Sequence, residues 1–209
     1  MTDEYLVPTK AAQDEFTEKR SRFIGHIFPV ETEEEALAEL ARLRQKYWDA
    51  NHNVYAYIIR GGATRYSDDS EPQGTAGMPV LEVLRREGLN NVLCVVTRYF
   101  GGILLGAGGL VRAYTKAAKL GVDAAGISEK RIWQTVDIPC PYGLFDRVKT
   151  EVTSCGGQVM QTEYGAEVLV RAIFPQTQTK NFQARLTDLS CGKVSGEVTG
   201  QEYRAFPVN

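Results

Sequence analysis

The sequence predicts an α+β fold in two domains, residues 1–130 and residues 131–209. Three observations support this prediction. The chain has 209 residues, a length that suits one or two domains of ordinary size. Apolar residues at helical spacing alternate along the chain with short runs of strand-forming residues. In the second domain these elements follow the order βαββαβ, which is the split βαβ arrangement of ferredoxin-like folds.

The first domain begins with two extended segments within residues 10–30, and a helix is predicted to follow over residues 33–48. Thr32 and Glu35 have the spacing of a capping box, in which each side chain binds a free N–H group at the helix start. A strand is then expected at Asn53–Arg60, because valine, tyrosine and isoleucine are frequent in strands.

A second helix is predicted after the glycine-rich segment that follows this strand. Thr75 is expected to be its N-cap, and Gly88 is expected to end it. Val92–Thr97 is a continuous apolar run, which predicts a strand buried on both faces. A long helix then runs from about Leu105 to Ala124, and a stripe of small residues would let it lie close to the sheet. The stripe consists of Ala113, Ala117, Ala118 and Val122.

The second domain is predicted to contain four strands and two helices. Apolar spacing places one helix around residues 144–155 and another around residues 182–189. The strands are predicted at residues 132–139, 158–164, 167–174 and 193–203. No low-complexity linker separates the domains, so a tight connection is expected near residues 126–132.

Composition and charge point to an ordinary globular protein, with 43% hydrophobic and 24% charged residues. The formal net charge of −2 excludes a strongly basic domain, so any RNA contact must be local. The N-terminal residues lack the apolar core of a signal peptide, and no apolar run could span a bilayer. We therefore expect a cytoplasmic protein without membrane contact. The cysteines form no CxxC pair and are expected to be buried free thiols: Cys94, Cys140, Cys155 and Cys191.

Two glycine-rich turns between residues 66 and 115 carry the strongest functional signal. The first runs from Asp68 to Gly77, and the second runs from Arg98 into the start of the long helix. Glycine allows a ligand to approach the backbone closely, and free N–H groups at a helix start favour anions. The second turn is not a Walker A motif, because it lacks the residue pair that holds phosphate and magnesium. The candidate anion- or RNA-binding residues are Gly74, Thr75, Gly77, Arg98, Tyr99, Gly101, Gly102, Gly106, Gly108, Gly109, Arg112 and Tyr114.

The same residues also allow a structural interpretation, and both interpretations stay open at this stage. The glycines could serve to pack helix against strand, and the arginines could pair with nearby carboxylates. Arg98-Tyr99-Phe100 and Arg112-Ala113-Tyr114 place aromatic rings beside cations, a pattern found in proteins that hold single-stranded RNA. Exposed rings would support RNA contact, and buried rings would argue against it.

Metal binding and catalysis receive less support. Asp68, Asp69 and Glu71 could hold a magnesium ion through oxygen ligands, although carboxylates in turns more often cap N–H groups. The chain has only two histidines and no HExxH spacing, so a metal hydrolase or dipeptidase is not expected. His52 precedes the strand that leads to the first turn and is an accessory candidate. No catalytic residue is assigned.

Two long motifs in this segment resemble the signature of the IMPACT family, and the whole chain is similar to its bacterial YigZ branch. The motifs are DDSEPQGTAGMPVLEVL and VVTRYFGGILLGAGGLVRAYTKA. Members of the family often have glycine where this chain has Ser70, so a positive φ there would be strained. The resemblance implies that the first domain has the fold of ribosomal protein S5 domain 2. It also implies that the second domain is similar to the ferredoxin-like last domain of an elongation factor.

The resemblance further implies a link to translation, because eukaryotic members of the family restrain a kinase that controls translation initiation. We therefore expect a regulatory or binding protein that contacts RNA, the ribosome or a translation-associated protein and needs no cofactor. The alternative is a phosphate- or nucleotide-handling enzyme, with a small phosphate ligand between the turns and magnesium at the carboxylates. Arg98 and Arg112 on an open face would favour the binding protein, and an enclosing pocket would favour the enzyme.

Overall fold

The computed structural model describes residues 4–208, and its contacts divide the chain into two units. The first unit consists of residues 5–130 together with the segment from residue 205. The second unit consists of Glu4 and residues 131–204. Each unit combines helices with a β-sheet, which confirms the predicted α+β fold class.

A five-stranded sheet forms the centre of the first unit, with the strand order β2-β3-β6-β4-β5. Each neighbouring pair in this sheet is antiparallel. The strands are β2 (Ala12–Glu18), β3 (Ser21–Pro29), β4 (His52–Ile58), β5 (Thr64–Ser67) and β6 (Val92–Tyr99). The helices are α1 (Glu33–Lys46), α2 (Gly77–Arg86) and α3 (Ala107–Ala125). A short strand, β1 (Tyr5–Pro8), pairs with residues 127–130 at the start of β7 (Ile127–Cys140).

Helices cover both faces of this sheet, so the apolar residues of β6 point alternately into two cores. Val92, Cys94 and Val96 belong to the core that α2 and α3 complete. Leu93 and Val95 belong to the core that α1 completes. All five side chains are inaccessible to solvent, which confirms the predicted burial of this strand on both faces.

Helix α3 lies very close to strand β3. A Cβ atom added at Gly25 would come within 2.0 Å of the carbonyl oxygen of Ala117. One added at Gly121 would come within 3.0 Å of the carbonyl oxygen of Gly25. Glycine is therefore required at the crossing, and the predicted stripe of small residues on this helix is confirmed, since its four members are buried.

The second unit contains the predicted βαββαβ order. Its elements are β7, α4 (Phe145–Ser154), β8 (Gln158–Tyr164), β9 (Val168–Pro175), α5 (Gln176–Ser190) and β10 (Glu197–Pro207). The strand order in its sheet is β10-β7-β9-β8, in agreement with a ferredoxin-like fold. The rings of Phe174 and Phe182 stack with centroids 4.2 Å apart and join α5 to the sheet within an otherwise mostly aliphatic core.

The capping of α1 was predicted correctly. The side chain of Thr32 accepts a hydrogen bond from the N–H of Glu35 at 3.2 Å. The side chain of Glu35 in turn accepts one from the N–H of Glu31 at 2.7 Å. The helix ends at Lys46, slightly earlier than residue 48, where the prediction placed its end.

The predicted cap of α2 was wrong. This helix begins at Gly77 with Ala76 as its N-cap, and no side chain of that cap residue binds the helix start. The hydroxyl of Thr75 donates instead to the carbonyl oxygen of Pro72 at 2.6 Å. Thr75 is therefore engaged in the turn before the helix, and another residue must satisfy the free N–H groups.

The four cysteines are all free thiols, as predicted. Three of them are buried, but Cys191 is exposed. This residue directly follows α5 and has a φ of 51°, so it lies in the turn that ends the helix and not in the core.

Candidate binding surface around the two glycine-rich turns

The pairing of β4 with its two neighbours brings the two glycine-rich turns together. Strands β5 and β6 both run antiparallel to β4, so their C-terminal ends lie on the same side of the sheet as the start of β4. His52, at the start of β4, lies opposite Arg98, near the end of β6. The side chain of Asn51 accepts a hydrogen bond from the N–H of Phe100 at 2.7 Å and holds the start of the second turn.

Glu71 of the first turn lies at the centre of a buried polar cluster. Its Oε1 atom accepts hydrogen bonds from Nη1 of Arg98 at 2.5 Å and from the hydroxyl of Tyr114 at 2.7 Å. Nε2 of His52 lies 3.6 Å from the same oxygen. Arg98 is 5% exposed, Glu71 is 9% exposed, and Tyr114 is fully buried. Burial, followed by the charge of Glu71, raises the pKa of Tyr114, so its hydroxyl stays protonated and can donate.

The guanidinium group of Arg98 is also enclosed by two aromatic rings. Its central carbon lies 5.3 Å from the ring centroid of Phe23 and 5.4 Å from that of Phe100. Nη2 donates to the hydroxyl of Ser21 at 3.5 Å, while Nε is buried without a hydrogen-bond partner. The charge of Arg98 is therefore balanced inside the protein by Glu71 and by the aromatic rings.

The carboxylate of Asp68, and not the side chain of Thr75, caps the start of α2. Its Oδ1 atom accepts hydrogen bonds from the N–H groups of Ala76 and Gly77, at 3.1 and 2.8 Å. Its Oδ2 atom accepts one from the N–H of Gly74 at 2.8 Å. Because these groups have no partner within the helix, a carboxylate here stabilises both the turn and the start of α2.

Asp69 connects the first turn to β4 and α1. Its side chain accepts hydrogen bonds from the N–H of Asn53 at 2.6 Å and from Arg44 at 3.3 Å. Its carbonyl oxygen lies 2.8 Å from Nδ1 of His52. Within residues 4–208 no group of three or more His, Cys, Asp or Glu side chains is arranged to hold a metal ion. Asp68, Asp69 and Glu71 instead have separate protein partners.

The second turn packs against the hairpin between β2 and β3. A Cβ atom added at Gly101 would lie 2.1 Å from the carbonyl carbon of Arg20. The N–H of Gly101 donates to the hydroxyl of Ser21 at 3.1 Å. Gly102 and Gly106 have φ values of 82° and 72°, which glycine adopts without strain. These constraints hold the loop between them in a conformation that leaves apolar side chains at the surface.

A cleft of about 370 Å³ opens between the two turns. Its polar lining consists of Asn51, His52, Glu71 and Arg98. The rest of the lining is mostly apolar and consists of Pro72, Phe100, Leu104, Leu105, Gly106, Ala107 and Leu110. Phe100 and Leu104 are 41% and 81% exposed, so the apolar rim of the cleft is open to solvent.

A smaller groove of about 240 Å³ lies beside the cleft, and Leu105 borders both. Lys19, Arg112 and Lys116 line this groove, together with the single acidic residue Glu18. In the part of the chain that the structure describes, none of the three cations forms an ion pair. The groove is therefore a local positive surface on a chain whose net charge is −2. The cleft and the groove together are called the recognition surface below.

The structure separates the two arginines that the sequence placed in one candidate anion site. Arg98 is buried and paired with a carboxylate, as the structural interpretation supposed, whereas Arg112 is exposed in the groove. Among the neighbouring aromatic residues, Tyr114 is buried and offers no face for stacking, while Phe100 is exposed. Tyr99 donates its hydroxyl to Asp49 at 2.8 Å. Of these arginines and aromatic residues, only Arg112 and Phe100 are exposed.

Three of the four remaining candidate glycines are needed for close packing or for a positive φ. A Cβ atom added at Gly77 would lie 2.7 Å from the backbone of Ser67, and one at Gly109 would lie 2.9 Å from a leucine side chain in the loop before α3. Gly74 has a φ of 77°. Gly108 has neither constraint, since a Cβ atom there would meet only the end of a flexible arginine at 3.5 Å.

Three residues of this surface were not predicted from the sequence: Lys19, Lys116 and Leu104. Lys116 follows Arg112 by four residues on α3, so helical spacing was a signal that could have found it. Lys19 lies in a hairpin far away in the sequence. The packing of α3 on β2 and the contact between Arg20 and the second turn bring it here. Leu104 was undetectable because exposure of a leucine depends on the tertiary structure.

The fold and this surface define a class of two-domain α+β proteins, with a doubly covered antiparallel sheet in one unit and a ferredoxin-like sheet in the other. A family comparison then identifies the class. The chain belongs to the IMPACT family: residues 19–122 match the Impact N-terminal domain, and residues 138–193 match a domain of unknown function, DUF1949. The resemblance of the two glycine-rich motifs to this family is thus confirmed.

Relatives of similar length support the assignment over nearly the whole chain. IMPACT family member YvyE of Bacillus subtilis is 34% identical over 95% of this chain and 94% of that protein. IMPACT family member YigZ of Escherichia coli is 32% identical over 92% of this chain and 96% of that protein. Protein IMPACT of the rabbit Oryctolagus cuniculus is 39% identical, but over only 43% of this chain and 30% of that protein.

A solved structure also resembles the whole chain. It is described as the crystal structure of a hypothetical protein, with 30% sequence identity and a TM-score of 0.61. The match covers 96% of this chain and 99% of that one. Separately, none of the helices in residues 4–208 has both the length and the apolar character needed to cross a membrane.

Proposed function

We propose that this protein is a non-enzymatic, translation-linked binding protein that contacts a translation-associated partner through the recognition surface. One observation carries the proposal: the cations Lys19, Arg112 and Lys116, which form no ion pair in the described residues, lie beside the exposed apolar side chains Phe100 and Leu104. Unpaired charges and exposed apolar rings together characterise surfaces that bind macromolecules. A cytoplasmic location is part of this proposal, because the translation machinery works there.

The link to translation comes from the family. Eukaryotic relatives bear the name Protein IMPACT, and their match falls on part of this chain, including 39% identity over 95 residues in the rabbit protein. The family resemblance implies that such proteins restrain a kinase of translation initiation. For this chain we extend only the translation link, since the restraint of the kinase belongs to proteins of which this chain covers 30%.

The open face expected of a binding protein is present at Arg112 but not at Arg98, which is buried in the polar cluster. The hydrogen bonds of this cluster support a structural role for its carboxylates. Glu71, Asp68 and Asp69 each accept hydrogen bonds from groups that hold the two turns in place. In the proposed function these carboxylates are a scaffold that shapes the cleft, and the surface above them makes the contacts. Cations that engage phosphate groups or acidic side chains would make binding weaken with rising salt.

Sedimentation with purified ribosomal subunits at low and moderate salt tests the proposal. We expect the wild-type protein to co-sediment, more strongly at low salt, and the groove variant Lys19→Ala/Arg112→Ala/Lys116→Ala to stay in the supernatant. A matched control is the variant Lys10→Ala/Arg147→Ala/Lys193→Ala, which removes three exposed cations elsewhere on the chain. Absence of the wild-type protein from the ribosomal fraction at both salt concentrations would contradict the proposal, as would equal release of the two variants.

A further inference from the structure

We propose that the cleft binds one apolar side chain from an acidic segment of a protein partner. This inference rests on the proposed function and specifies the chemistry of the partner at the same surface. Leu104 and Phe100 form an exposed apolar rim at the mouth of the cleft. Concave sites with apolar rims are where an inserted side chain is fully desolvated and contributes most to affinity.

The floor of the cleft is polar but carries no unbalanced charge. Glu71 is paired with Arg98 at 2.5 Å, and the hydroxyl of Tyr114 donates to the same oxygen at 2.7 Å. A charged group entering the cleft would lose its hydration and find no free counter-charge in this pair. The floor therefore selects an uncharged group, and the apolar walls select one that gains by leaving water.

The cleft is large enough for this occupant. Its volume of about 370 Å³ equals that of roughly twelve water molecules in the liquid. A leucine, phenylalanine or tryptophan side chain would displace several of them from apolar walls. Burial of a side chain of this size corresponds to about a tenfold to hundredfold gain in affinity.

The groove next to the cleft supplies the charge complementarity. Leu105 borders both recesses, so residues that flank an inserted side chain would lie along the groove. Lys19, Arg112 and Lys116 line it against one acidic residue, Glu18. Aspartate or glutamate next to the apolar anchor would meet this excess of positive charge, which steers association and fixes the orientation of the segment.

The walls favour a protein segment over single-stranded RNA. An inserted base needs aromatic or guanidinium planes on which to stack. The cleft walls are mostly aliphatic: Phe100 supplies the one phenyl ring, and the His52 ring lies between the Glu71 carboxylate and the carbonyl oxygen of Asp69. The guanidinium group of Arg98 already lies 5.4 Å from the centroid of the Phe100 ring. Because Arg98 is only 5% exposed, it offers no open plane on which a base could stack.

A library of random short peptides displayed on phage, selected against the full chain, tests this inference. We expect the selected peptides to share an apolar residue flanked by aspartate or glutamate. Binding of a fluorescein-labelled selected peptide, followed by polarisation, should weaken about tenfold or more when Leu104→Gln is introduced and in the groove variant. Replacement of the apolar residue of the peptide by alanine should have a similar effect. Leu37→Gln, at a 47% exposed leucine of α1, is the matched control and should leave binding within about twofold.

Three results would overturn the inference: selected peptides without the acidic and apolar pattern, equal affinity of Leu104→Gln and wild type, or single-stranded RNA that loses as much affinity through Leu104→Gln. The two proposals fail separately. Ribosome sedimentation that depends on the groove would keep the proposed function even if no such peptide is selected. Peptide binding without ribosome sedimentation would keep the occupant of the cleft and overturn the translation link.

Discussion

Arg98 of β6 and Glu71 of the first turn form a buried ion pair, 2.5 Å from Nη1 to Oε1, that joins the two glycine-rich turns. Tyr114 of α3 donates to the same oxygen, so three distant segments of the chain meet at one carboxylate. Since Glu71 and Arg98 also line the cleft, the pair determines where the cleft lies.

Loss of one partner of this pair should strongly destabilise the first unit. We expect Arg98→Met to lower the free energy of unfolding by about 3 to 5 kcal/mol, because Glu71 would keep a buried charge without its counter-ion. Urea denaturation measures this change. The exposed Arg112→Met should change stability by less than about 0.5 kcal/mol. The double variant Arg98→Met/Glu71→Gln should lose less than the sum of its two single changes. A cost for Arg98→Met no larger than that for Arg112→Met would show that the pair is not important for stability.

Asp68 should matter for stability through the helix start that it caps. Asp68→Ala removes the acceptor for three N–H groups, those of Gly74, Ala76 and Gly77, and should cost about 1 to 2 kcal/mol in urea denaturation. Glu82→Ala, on the exposed part of the same helix, is the control and should cost well under about 1 kcal/mol. Equal stability of the Asp68→Ala variant and the wild type would refute the capping role.

His26 should make stability depend on pH in the acidic range. Burial lowers the pKa of His26 from 6.5 to about 4, with further lowering by the charges of Lys46 and Arg42 against a rise caused by Glu15. The folded protein keeps this ring neutral, while the unfolded chain takes up a proton below pH 6.5. The resulting stabilisation is complete above that pH and is lost as the pH falls towards 4, by about 3 kcal/mol in total.

Urea denaturation of the wild type and of His26→Gln between pH 7 and pH 4 isolates this contribution. We expect the unfolding free energy of the wild type to fall relative to that of the variant as the pH falls, because the variant has no ring to protonate. Carboxylates titrate equally in both proteins and cancel in the difference. If the difference in unfolding free energy between the two proteins stays constant across this range, the His26 ring has the same pKa in the folded and unfolded states.

Replacement of Ser70 by glycine should increase the stability of the protein. Its φ is 69°, in the left-handed region that costs a residue with a side chain about 1 kcal/mol or more. Ser70→Gly removes this strain but adds freedom to the unfolded chain, so we expect a net gain of about 0.5 kcal/mol by urea denaturation. Gly74→Ala, at a φ of 77° with open space around it, should show the reverse effect. Destabilisation by Ser70→Gly would contradict the strain argument.

Local sequence patterns predicted most of the elements because their causes are local. The apolar run of β6 and the small residues of α3 reported how deeply those elements are buried. Thr32 and Glu35 are three residues apart, and their capping could be recognised without any tertiary contact. The prediction that Thr75 caps α2 was wrong because the carboxylate of Asp68 binds the N–H groups at the helix start. Asp68 lies eight and nine residues before those groups, too far for a local capping pattern to show.

The sequence by itself therefore determined the fold class, the family and the segment that contributes most of the residues of the recognition surface. Hydrophobic periodicity and the two glycine-rich motifs were sufficient for this, since both are properties of neighbouring residues. Only the tertiary structure decided that Arg98 is buried against Glu71 while Arg112 faces solvent, and that Lys19 of the β2–β3 hairpin lines the same groove as Arg112. The physical reason is that burial and ion pairing depend on strand order and helix packing, which bring together side chains that are far apart along the chain.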